Sequence, residues 1–206
     1  MTKKRVFMLG AGFMQGVAIR AARALGCTVV AADGNPSAVC AAEADEFVCI
    51  DLKDTARLID YARYLQQNGG LDAVFTAATD FSAAVAAIAA ACGLRGQPLE
   101  AALNATDKVR MRECFRKAGV PSPAFIELTA ADLAAPANTL EQRIGELAGR
   151  FPLVVKPVDN MGARGCSLVK NLSELRKAAA TALQYSRSGR VIVEEYIEGS
   201  EFSIEG

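Results

Sequence analysis

From Val6 to Cys92 the chain alternates short apolar runs with stretches of helical spacing, and this alternation restricts the fold more than any other feature. Val6–Leu9, Thr28–Ala32, Phe47–Ile50 and Ala73–Thr76 read as strands. Phe13–Leu25, Thr55–Leu65 and Phe81–Cys92 read as helices, closed by Gly26, by the Asn68–Gly70 breaker and by Gly93. Strands of four or five residues that are apolar throughout, each followed by a helix and short connections, predict a parallel sheet covered on both faces.

The second half has a different rhythm. A helix is expected from Thr106 to about Ala118, with Thr106 as N-cap and Asp107 in its first turn, ending at G-V-P-S-P. A strand A-F-I-E-L follows, then T-A-A-D-L-A-A-P-A-N-T, the best candidate for a linker, with a short helix as the alternative. Helix over Glu141–Gly149, strands at Leu153–Lys156 and Ser167–Val169, a helix capped by Ser173 and running to about Gln184, a strand at Val191–Glu195 and another beginning at Glu201–Glu205 complete the reading. The domain boundary is expected between Leu99 and Ala105, giving domains 1–104 and 105–206.

Lysine plus arginine and aspartate plus glutamate both number 23, so no global field favours nucleic acid or a membrane surface. The basic cluster K-V-R-M-R with Arg116 and Lys117 reads as a solvated helix face. No stretch approaches the ~20 apolar residues of a membrane helix, and the first apolar run is too short for a signal peptide. Six scattered cysteines without C-x-x-C suggest free, mostly buried thiols and a cytoplasmic protein. There is no histidine, which removes histidine-based triads and histidine-ligated zinc. Chemistry must rest on lysine, arginine, carboxylates and backbone amides.

Two glycine loops carry ligand potential. The first, G-A-G-F-M-Q-G at Gly10–Gly16, links a strand to a helix, where amides can meet an anion. With Asp33 after the second strand it suggests a dinucleotide site and an oxidoreductase. Against this, the third glycine of that fingerprint falls where Gln15 stands, and Gly16 is one residue late. A turn that binds no dinucleotide is the other reading. Asp80, at the end of the fourth strand, is either a ligand contact or, the preferred role, the N-cap of the next helix. The second loop follows Lys156, which closes an apolar run. An unpaired ammonium there costs on the order of several kcal/mol, so a partner is expected, and phosphate suits. Gly162 and Gly165 permit closure over phosphates, and Arg164 offers a fork matched to their oxygens.

These residues resemble the ATP-grasp superfamily, and within it proteins related to the carbamoyl phosphate synthase large subunit. The resemblance rests on L-G-A-G-F-M-Q, D-G-N-P and T-A-A-T-D in the first half, T-D-K-V-R-M-R-E with G-V-P-S-P in the connecting helix, and F-P-L-V-V-K-P-V-D-N-M-G-A-R-G with V-E-E-Y-I-E-G-S-E-F-S-I-E in the second. It implies an α/β fold, a Rossmann-like pre-ATP-grasp domain followed by the first part of an α+β ATP-grasp domain. It implies that the first loop is not an NAD site. It implies that Lys156 contacts adenine or the α-phosphate and that Lys108 reaches a phosphate from the other side. Gly162, Ala163, Arg164 and Gly165 would form the lid, with Ala163 standing where many relatives carry serine. Glu194, Glu195 and Ile197 would line the adenine edge, largely through backbone groups, and Glu201 would hold the ribose hydroxyls.

The implied reaction is ATP-dependent ligation of a small-molecule carboxylate to an amine through an acyl phosphate, which depends on positioning and cationic clamps. The cofactors are ATP and Mg²⁺. No metal ligand or catalytic residue is assigned within the 206 residues; those groups are expected beyond Gly206. The chain alone is therefore expected not to ligate, and a homodimer or a complementary C-terminal chain is the expected partner at the edge left by Glu201–Glu205. The alternative is a non-catalytic nucleotide- or partner-binding module.

Overall fold

Strands β1 (Arg5–Leu9), β2 (Thr28–Asp33), β3 (Glu46–Cys49) and β4 (Ala73–Thr76) form a fully parallel sheet in the order β3-β2-β1-β4. The structure is a computed structural model that describes residues 3–202. The alternation of side chains along β1 explains why this sheet needs two covers. Phe7 and Leu9 join Val30, Ala32 and Val74 in one core, with Leu58, Ala62 and Leu65 of α2 (Thr55–Gln67) and Ala84, Ile88 and Ala89 of α3 (Ser82–Ala91). Val6 and Met8 join Val29 and Ala31 on the other face, with Ile19 and Ala22 of α1 (Phe13–Ala24). The helical residues recur every three or four positions, so each helix offers one apolar stripe to its own side of the sheet.

The chain divides into two compact units between Leu103 and Asn104, and α4 (Leu99–Thr106) spans the division. The second unit holds an antiparallel sheet ordered β5-β8-β6-β7, from β5 (Phe125–Thr129), β6 (Leu153–Pro157), β7 (Ser167–Val169) and β8 (Arg190–Glu195). One face carries Leu128, Leu153, Val155, Val169, Val191 and Val193. These pack with Leu140 and Ile144 of α7 (Ala137–Ile144) and with Leu175, Ala179 and Ala182 of α8 (Leu172–Tyr185). The two units thus make a mixed α/β protein with one parallel and one antiparallel sheet.

Several local expectations need correction. The N-cap of α5 (Lys108–Lys117) is Asp107, not Thr106: its carboxylate accepts from the Val109 and Arg110 amides, and Thr106 ends the preceding helix. Asn171, not Ser173, caps α8, accepting from the Glu174 amide. Asp80 is not the cap of α3; Phe81 is the N-cap residue, without a side-chain capping bond. The expected linker holds α6 (Ala130–Ala134) and the start of α7, because Thr129 and Asp132 close a capping box at its head. Of the six cysteines, only Cys40 and Cys92 are buried, and Cys49 and Cys166 are exposed. The strand expected at Glu201–Glu205 falls largely outside the described residues; Glu201 and Phe202 are irregular.

Candidate functional site

Helix α5 builds the site's cationic side. Asp107 at its head binds the first amides and pairs with Arg190 of β8, which also meets Glu127 of β5 at 3.0 Å. This fixes the start of α5 over the sheet face opposite the α7–α8 core. Lys108 and Arg112, one helical turn apart, share a side of α5. The Lys108 amide donates to the Val158 carbonyl at 3.0 Å. Its ammonium donates to the Asn160 carbonyl at 2.7 Å and the Val158 carbonyl at 3.4 Å.

Strand pairing supplies the carboxylate. Val154 lies opposite Glu194 and Lys156 opposite Ile192 across β6–β8, so Lys156 and Glu194 are diagonal neighbours on one face. Glu194 is 3% exposed. Its carboxylate accepts from Arg112 Nε at 2.6 Å and forms an ion pair with Lys156. Burial pushes the Glu194 carboxyl up, but the hydrogen bonds and charges of Arg112 and Lys156 outweigh it and hold it below the usual carboxylate range. Lys108 moves down: burial disfavours its ammonium, and the nearby Lys156 charge adds to this against Asp159, Glu194 and Asp107. No carboxylate among the described residues lies within ion-pair distance of the Lys108 ammonium.

The loop from β6 to β7 rises beside these cations. Gly162, Ala163 and Gly165 adopt φ of +70°, +56° and +72°, a left-handed run that suits glycine and strains alanine. Gly162, Ala163 and Arg164 are exposed, and Arg164 donates to its own loop at the Met161 carbonyl, 3.2 Å away. At the stem, a Cβ on Gly165 would come within 2.9 Å of the Tyr185 ring and 3.1 Å of Pro157. The loop is therefore closely seated at its base and open at its tip.

The two adjacent acids of β8 part company. Glu195 points to the other side of the strand from Glu194, accepting from the Ala124 amide at 3.3 Å and Arg150 at 3.4 Å. Its own amide is bound by the Ala124 carbonyl. The main chain leaves the sheet after Glu195, so Tyr196 and Ile197 bring the first backbone groups outside it. Ile197 and Glu201 are both exposed.

In the first unit, Gln15 fills the glycine loop. Its Oε1 accepts from the Gly12 amide at 3.1 Å, and its Nε2 donates to the Ala77 carbonyl at 2.6 Å. Asp33 Oδ2 accepts from the Ala11 amide at 2.9 Å and Oδ1 from the Asn35 amide at 2.8 Å. The amide and acid that a dinucleotide would use are bound to each other. The late glycine also has a packing reason: a Cβ on Gly16 would lie 2.5 Å from Cys40 Sγ.

The ATP-grasp N-terminal domain family matches residues 19–96, and the D-ala D-ala ligase C-terminus family matches residues 114–205. The chain carries ATP-grasp domains over these two stretches. It is 37% identical over 106 residues to a carbamoyl phosphate synthase large chain of Bifidobacterium longum, covering 51% of this chain and 9% of that one. Among solved structures, an L-amino acid ligase from Bacillus licheniformis superposes with a TM-score of 0.68 at 22% identity, covering 97% of this chain and 45% of that one. An N5-carboxyaminoimidazole synthetase from Staphylococcus aureus, complexed with ADP, superposes with a TM-score of 0.66 at 18% identity, covering 94% and 48%. The chain thus spans less than half the length of these relatives.

Within this ATP-grasp chain, Lys108, Lys156 and Glu194 meet around one sheet face, and the Gly162–Gly165 loop stands beside them. Glu195 turns away. The partner anticipated for Lys156 is already present as Glu194. Sequence reasoning missed Arg112, treated as part of a solvated face. Its spacing of four from Lys108 was the available signal. It also missed Asp159, discussed below. Among the described residues no helix is long and apolar enough to cross a membrane.

Proposed function

We propose that the second unit holds the phosphates and adenine of ATP, and that the whole protein is an ATP-dependent ligase joining a small carboxylate to an amine. The observation that carries this is the Lys108 ammonium. It is half-buried, held among the described residues by two carbonyl oxygens, and pushed down by burial and by Lys156. Two ammoniums and a guanidinium gather around one buried carboxylate, Glu194, with Asp159 and Asp107 farther off, and such a donor set suits a polyphosphate. The donor set therefore fits ATP: Lys108, Lys156 and Arg112 for phosphate charge, and the loop amides with Arg164 for the remaining oxygens. The main chain at Tyr196–Ile197 is placed for adenine and Glu201 for ribose.

In the proposed reaction the γ-phosphoryl group passes to a carboxylate oxygen as ADP leaves, and an amine then displaces phosphate from the acyl phosphate. This chain's residues bind and orient the nucleotide for that sequence; none is assigned a covalent role. No group of three Cys, Asp or Glu side chains suited to a metal ion gathers among the described residues. No Mg²⁺ ligand is assigned to these residues, and no step is derived through one.

Thermal denaturation with a non-hydrolysable ATP analogue, and separately with NAD, tests the reading. A ligand at a hundred times its Kd stabilises by about 2.7 kcal/mol, so the analogue raises the Tm of wild type and not of Lys156→Ala. Stabilisation by NAD with none by the analogue overturns the proposal.

A further inference from the structure

The β6–β7 loop is anchored by a residue to which no role is assigned above. Asp159 uses both carboxylate oxygens: Oδ1 accepts from Ser186 Oγ at 2.9 Å and the Arg187 amide at 3.0 Å, and Oδ2 from the Ser188 amide at 2.8 Å. These donors belong to the connection between α8 and β8. Ser186 Oγ also accepts from the Arg190 amide at 3.1 Å, which ties the anchor to the head of β8. Beside it, Asn160 Nδ2 donates to the Tyr185 carbonyl at 2.8 Å, at the last turn of α8. Burial pushes the Asp159 carboxyl up, but its hydrogen bonds bring it below the usual range, so it is anionic at neutral pH.

The two carbonyls that hold the Lys108 ammonium belong to Val158 and Asn160, the residues on either side of Asp159. Each residue contributes two soft backbone torsions, one on either side of its Cα. Tying down the Asp159 side chain restricts the plane before it, which carries the Val158 carbonyl; the Asn160 carbonyl lies one plane beyond, on a residue tied to Tyr185 by its own side chain. We infer that Asp159 is a positioning residue: by binding the α8–β8 connection it aims the Val158 carbonyl at Lys108 and, with Asn160 tied beside it to Tyr185, sets both the phosphate-binding ammonium and the stem of the glycine loop. The same loop thereby carries its tip freely while its stem is held from two sides, by Asp159–Asn160 and by Gly165 against Tyr185. This rests on the nucleotide reading above only for what Lys108 binds.

Two measurements on the full chain separate the anchor from the ligand. The first needs no nucleotide. The Lys108 amide is protected by the Val158 carbonyl, so Asp159→Asn accelerates its hydrogen exchange about tenfold or more. Amides in the core of α8 keep wild-type rates. Ser186→Ala, which deletes one of the three donors and keeps the charge, gives a smaller acceleration in the same place. Wild-type exchange at Lys108 in both variants overturns the inference, and so does uniform acceleration throughout the unit. The second uses a non-hydrolysable ATP analogue and adenosine as probes. Asp159→Asn weakens the analogue about tenfold and leaves adenosine unchanged. In the Lys108→Met background it adds no further loss. Equal weakening of both probes, or an undiminished loss in that background, assigns Asp159 a general structural role and overturns the positioning role. If the wild-type chain binds neither probe, the nucleotide reading falls, and the exchange result alone upholds or overturns the anchor.

Discussion

Replacing Glu194 with glutamine removes the one carboxylate that joins Arg112 and Lys156. The amide keeps an acceptor for Arg112 Nε but turns N–H groups toward the Lys156 ammonium. At an effective dielectric constant of 20, a unit charge pair about 4 Å apart attracts by about 4 kcal/mol. Two such attractions are lost, set against the released desolvation of the carboxylate. Truncating one partner of a buried pair costs about 3–5 kcal/mol. The Arg112 and Lys156 side chains are 19% and 22% exposed, so water relieves part of this and the lower end, about 3 kcal/mol, is expected. With a urea m-value of about 2 kcal/mol/M, the unfolding midpoint of the second unit falls by about 1.5 M.

The acid limb gives the sign. Glu194 titrates lower folded than unfolded. Its contribution is therefore complete above the ordinary carboxylate pKa and is lost as pH falls through the depressed folded value. The gap between wild type and Glu194→Gln should narrow across that window and stay constant above it. A midpoint within about 0.3 M of wild type at pH 7, or a gap that widens in acid, refutes the reasoning.

Other perturbations probe separate parts of the site. Lys108→Met leaves the urea midpoint at pH 7 unchanged or higher, because it removes a desolvated ammonium beside a second cation, yet it lowers ATP-analogue affinity at least tenfold by titration calorimetry. Gly165→Ala costs about 2–4 kcal/mol, from left-handed backbone and overpacking together. Gly162→Ala, whose Cβ meets nothing within 4 Å, costs only about 1 kcal/mol; equal urea midpoints contradict the seated stem. Asp107→Ala loses the cap of α5 and the Arg190 pair, about 2 kcal/mol together, while Asp107→Asn keeps most of the cap and loses less than half of that.

The parallel half of the fold was legible because strands buried on both faces leave nearly continuous apolar runs, and glycine marks each helix end. Caps were less legible. Thr106 and Asp107 are adjacent and both suit an N-cap; the choice fell to Asp107 through Arg190, 83 residues away. The Thr129–Thr139 stretch resembled a linker through its alanine and proline, and its helices follow from a two-residue capping box and from packing against α8. The site was half legible. Lys108, Lys156 and the glycine loop stand in motifs. The opposed directions of Glu194 and Glu195 follow from strand alternation and were within reach of the sequence. Arg112 and Asp159 act through contacts 82 and 27–29 residues distant, which no local pattern announces.

The buried carboxylate of β8 also governs how the strands align. Val193 and Glu194 face opposite sides of the sheet, Val193 toward Leu153 and Leu175 and Glu194 toward Arg112 and Lys156. A slip of one residue against β6 would exchange the two, placing a carboxylate among leucines and a valine among cations. That misalignment costs on the order of several kcal/mol at the acid alone. The cluster of Arg112, Lys156 and Glu194 thus also selects, during folding, the single strand alignment in which it can form.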